Sequence, residues 1–67
     1  MSDYKERVID DKNKLEFKVV ALVDFIKTNF FEKLADKDRE LLFEQLKCMD
    51  AYLLVLRKRI SRFESGM

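Results

Sequence analysis

Among its 67 residues this chain has no histidine, no proline and no tryptophan, one cysteine and one glycine. Each shortage excludes something. Without histidine there is no His-based triad, no imidazole general base and no zinc site of the usual kind. A single cysteine cannot close an internal disulfide, which excludes a stapled secreted mini-protein. With no proline, and the one glycine at Gly66, long stretches carry no strong helix breaker. No apolar run approaches the roughly 18 residues a membrane span needs, so no membrane association is expected. The start, MSDYKERVIDD, is charged and lacks the apolar centre of a signal peptide, so a cytosolic protein is expected. Charged residues make up 40% and apolar ones 48%, too apolar for a disordered tail. A single domain over residues 1–67 is the ceiling.

What is present points to an all-α chain. No window alternates apolar and polar residues as a half-buried strand would. A first helix is expected over about 3–27, where Val8, Leu15, Val19, Leu22 and Ile26 fall on one face. It ends at Thr28-Asn29, two poor helix formers. A turn over 28–36 follows, with Phe30, Phe31 and Leu34 plugging the end of the core and Asp36 placed to cap the next helix. The second helix is expected over about 37–63. Its stripe of Leu42, Leu46, Met49, Leu53, Leu56, Ile60 and Phe63 alternates spacings of 4 and 3 without error, an a/d heptad seam. Two long helices with a short connection predict an antiparallel hairpin.

A two-helix core rarely supplies more than roughly 3–5 kcal/mol. Yet Leu41, Cys48, Tyr52, Leu54 and Val55 on the second helix, and Phe17, Val20 and Val23 on the first, are apolar residues outside the seams. A homo-oligomeric helical bundle is therefore expected, a dimer or a tetramer built as a dimer of dimers, with Cys48 buried as a small hydrophobe.

Net charge is +1, but Arg57, Lys58, Arg59 and Arg62 crowd one helix end. They complement the helix dipole, or they form an anion site. Gln45, Tyr52 and Arg59 are seven apart and stack along one edge of the second helix. Such an edge suits interhelical contacts; it equally suits a nucleobase and its phosphates, through a stacking ring, an amide and a bidentate fork. Arg7 should lie level with Arg59, and Lys18 with Met49 and Tyr52. Lys18 interrupts an apolar stripe, where it pairs with Asp50 or Glu44 or meets an anion. Tyr4, near the start, is either surface packing or a cap on a ligand pocket. No paired carboxylates, phosphate-cradling loop or nucleophile–base pair stands out, so neither catalysis, a cofactor nor a metal site is expected.

The pattern Glu6-Arg7-Val8, Leu15, Lys18, Leu22, Phe25-Ile26, Phe31, Leu34, Glu40-Leu41-Leu42, Gln45-Leu46, Met49, Tyr52, Leu56 and Arg59-Ile60 resembles a family of very small phage and prophage helical-hairpin proteins. Members include proteins of crAss-like phages, and the likeness covers about residues 5–63. Compact oligomeric hairpins of this kind are similar to sponges that sequester the cyclic oligonucleotide signals of CBASS defence. The resemblance implies a non-enzymatic phage protein in the cytoplasm of the infected bacterial host. It implies a cyclic di- or trinucleotide bound between subunits by Arg7, Lys18, Gln45, Tyr52 and Arg59.

Two rival readings belong to other classes. A phage-encoded inhibitor of a host defence protein would present an apolar helix face such as Leu53–Leu56 with Phe17 and Val20. A DNA-binding dimer would use Arg57–Arg62, but net charge near zero and the absence of a recognition-helix pattern argue against a nucleic-acid polymer.

Overall fold

The computed structural model describes residues 3–64, the side chain of Glu64 excepted. Gly66 lies outside these residues. Three helices follow in order, α1 over Tyr4–Ile26, α2 over Asn29–Glu32 and α3 over Asp36–Glu64, and no strand occurs among the described residues.

Capping chemistry sets the boundaries. Asp3 opens α1, its carboxylate accepting the Glu6 N–H at 3.0 Å. Thr28 closes α1 and opens α2. Its hydroxyl donates to the Phe25 carbonyl at 2.6 Å and accepts the Phe31 N–H at 3.4 Å. The expected plain turn is thus tightened into one helical turn. That turn places only Phe31 in the core, against Phe25 and Phe43 with ring centroids 6.2 and 5.4 Å away. Phe30 does not plug the core as expected but is 71% exposed. Successive helical residues diverge by about 100°, so the two rings cannot face the same way. Asp36 is not the cap either. It is the first residue of α3, where its carboxylate pairs with Arg39. Arg39 also donates to the Glu32 carbonyl at 3.4 Å, tying the start of α3 to the end of α2.

The long helices run antiparallel. Tyr4 meets Phe63 at one end, Glu16 meets Arg57 midway and Phe31 meets Phe43 at the other. The result is a rod of 48 × 19 × 15 Å. Val8, Phe31, Leu53 and Leu56 are buried, and Leu15, Val19, Leu22, Leu46, Met49 and Ile60 are half-buried around them. Both expected seams therefore face inward. Most residues outside them stay uncovered: Phe17 is 79% exposed, and Val20, Leu41, Tyr52, Leu54 and Val55 are also exposed, whereas Val23 is half-buried. Cys48, expected to be buried, is exposed too. It stands one residue short of the inward-facing Met49, so its side chain turns away from α1. No helix among the described residues is long and apolar enough to cross a membrane.

Candidate functional site

Two shallow depressions lie along the edge of α3 that Tyr52 and Arg59 share, one heptad or about 10 Å apart. The first, of about 240 Å³, is lined by Tyr52 of α3 and by Asp11, Lys14, Leu15 and Lys18 of α1. The second, of about 260 Å³, lies at the open end of the pair between Tyr4, Arg59, Arg62 and Phe63. Each joins one tyrosine to two cationic side chains. Lys5 adds a third cation beside the second, 5.7 Å above the Phe63 ring.

The cations differ in how far they are already engaged. Lys14 is exposed and forms an ion pair with Asp10 at 3.0 Å. That contact, and then the Asp10 charge, holds its ammonium above the ordinary lysine value. Lys18 has no ion pair among the described residues; the expected contacts with Asp50 or Glu44 do not form. It lines the same depression as Tyr52, at the level its position in the hairpin predicts. Arg59 shares its depression with Tyr4, so the first turn of α1 lies level with the end of α3.

The remaining expected site residues are not brought together with these. Gln45 is exposed and its amide donates to the Met49 sulfur at 3.9 Å. Arg7 is exposed and lines neither depression. Six lining residues, Tyr4, Asp11, Lys14, Leu15, Arg62 and Phe63, stand outside the expected set of ligand contacts, although Tyr4 was expected as an alternative cap and Arg62 as part of an anion site. Spacing held the signal: Tyr4, Asp11 and Lys18 are seven apart, and Lys14 and Arg62 stand one helical turn from Lys18 and Arg59.

The opposite edge is closed. Arg57 reaches across to Glu16 at 2.8 Å, and Lys12 holds the other Glu16 oxygen at 3.3 Å. The Arg57 guanidinium first, then Lys12, holds the Glu16 carboxyl below the usual carboxylate range. A larger hollow of about 340 Å³ sits at the turn, lined by Phe31, Asp36, Arg39, Glu40 and Phe43. Its one cation is already bound to Asp36 and the Glu32 carbonyl, and two carboxylates face it, so it suits an anion poorly. No cluster of three or more potential metal ligands occurs among the described residues.

These features define a small all-helical chain with two shallow depressions lined by tyrosines and cationic side chains along one edge. The chain belongs to the Sequestin family, whose model matches residues 2–62. The family name fits a group of small sequestering proteins. No curated protein and no solved structure matches the chain.

Proposed function

We propose that this protein is a phage immune-evasion sponge, which holds cyclic di- or trinucleotide messengers between subunits without cleaving them. It acts in the cytoplasm of the infected bacterial host, as a homo-oligomer of hairpins, most simply a dimer of dimers. The observation that carries the reading is the repeated pairing of a tyrosine with two cations along one edge. Cyclic oligonucleotides alternate flat bases with anionic phosphates. Tyrosine stacks on a base, while lysine and arginine neutralise phosphate with charge-assisted hydrogen bonds. Membership of a family named for sequestration supports binding as the purpose. A sponge needs stoichiometric capture and no turnover, so it needs no base or nucleophile.

Size supports a shared site. Depressions of about 240 and 260 Å³ fall below the roughly 300–1,000 Å³ typical of ligand pockets. A second subunit covering that edge would supply the missing wall.

The test is native mass spectrometry of the protein alone and with a panel of cyclic di- and trinucleotides. The expected result is a defined oligomer that gains one ligand per subunit pair or fewer. Tyr52→Ala or Arg59→Ala should abolish the gain. An oligomer that binds none of them overturns the reading. It would favour the second one, inhibition of a host defence protein through an apolar helix face, for which the 79% exposed Phe17 and its neighbour Val20 speak.

A further inference from the structure

We infer that a second copy of this chain docks on the outer surface of α3, helix against helix and antiparallel. α3 carries two heptad seams. The first faces α1. The second consists of Leu41, Gln45, Cys48, Tyr52, Val55 and Arg59, which follow one another at spacings of 4 and 3 with the same regularity. Leu41 and Tyr52 are each 53% exposed, Val55 is 50% exposed and Cys48 is exposed. A seam of this period is built to meet another helix.

Charge identifies that helix and its direction. The first half of α3 is acidic in balance, with Asp36, Asp38, Glu40, Glu44 and Asp50 against Lys37, Arg39 and Lys47; the last part carries Arg57, Lys58, Arg59 and Arg62. A parallel copy would lay the strongly basic last part on itself. An antiparallel copy lays the acidic half on the basic half, and the contact is self-complementary, as a two-fold pair requires. The flank of the new seam fixes the register. Glu44, Ala51 and Lys58 stand there, seven apart. With the two-fold axis near Ala51, Glu44 faces Lys58 of the partner subunit at both ends, and the small alanine lets the helices approach. The outward apolar residues of α1, Phe17 and Val20, form no comparable seam.

This pairing deepens the proposed function by naming the surface that closes the site. Tyr52 and Arg59 lie on the side of the second seam nearest α1, so the partner helix would wall the depression that Lys18 and Tyr52 share. The two readings fail separately. A pair of this geometry that binds no cyclic nucleotide keeps the interface and removes the sponge; a sponge assembled through another surface does the reverse.

The test is sedimentation velocity on the full chain, with circular dichroism to follow helix content. The wild type should sediment as an even-numbered oligomer. Val55→Asp, at an exposed position, should dissociate it while the helices persist. Glu44→Lys and Lys58→Glu should each weaken association about tenfold, and the double charge swap should restore it. The two positions are about 21 Å apart on one helix, so rescue has to act between chains. A monomeric wild type, an oligomer indifferent to Val55→Asp, or a double variant no tighter than the singles overturns the inference.

Discussion

The two edges of the helix pair carry the same side chains to opposite ends. Arg57 and Arg59 stand two residues apart on α3, on either side of the inward seam. Arg57 finds Glu16 across the groove and becomes part of the scaffold. Arg59 finds a tyrosine and a second arginine and lines a depression. The first helix repeats the contrast: Lys12 is bound to Glu16, whereas Lys18 has no ion pair among the described residues. An arginine or lysine is therefore structural or available according to whether a carboxylate stands opposite it. One edge spends its charge on register, and on the other Lys18 stands without an ion pair among the described residues.

The largest expected effect breaks both edges at once. Leu56 is 1% exposed and lies between them. Leu56→Ala should cost about 2–5 kcal/mol, most of what so small a core supplies. Thermal melts by circular dichroism should show it partly or wholly unfolded, with ligand binding lost in proportion to the folded fraction.

A smaller effect sharpens the comparison within the open edge. Lys18 and Lys14 line the same depression, but Lys14 already holds Asp10. Lys18→Ala should weaken cyclic-nucleotide binding roughly tenfold, the scale of one charge-assisted hydrogen bond. Lys14→Ala should weaken it less, since binding through Lys14 competes with its own carboxylate. Isothermal titration calorimetry at one salt concentration separates the two, and equal losses would show that the ion pair does not set availability.

Much of this was legible in the residues. The inward seam of α3 could be read because seven apolar positions keep one period and no glycine or proline interrupts them. The α1 boundary was legible within a residue because Thr28 is chemically suited to both of its roles. Phe30 and Phe31 could not be told apart, since composition is the same at both and only the helical turn of α2 decides which points inward. Cys48 is exposed in the single chain because no second helix lies against its face of α3, a fact residue type does not carry. Along the candidate edge, Tyr52 and Lys18 line one depression and Arg59 the other. The sequence left Tyr4 between surface packing and a pocket cap, because its place depends on how far the first helix reaches along the second.

The smallest expected effect concerns the closed edge and depends on pH. In the folded chain the Glu16 carboxyl titrates below its ordinary range, because Arg57 and then Lys12 stabilise its charge. Its contribution to stability is thus fully present above the ordinary carboxylate pKa and is lost as pH falls through the depressed folded value. Arg57→Ala should lower the melting temperature slightly at neutral pH, since the pair is largely exposed to solvent. In acid the carboxyl is protonated with or without its partner, so the two melting curves should converge. Arg59→Ala should show no such convergence, because its guanidinium lines a depression whose other residues are tyrosine, arginine and phenylalanine. Melting temperatures of both variants across the acid range decide it. A pH-dependent gap for Arg59→Ala, or a constant one for Arg57→Ala, would erase the distinction between the edges.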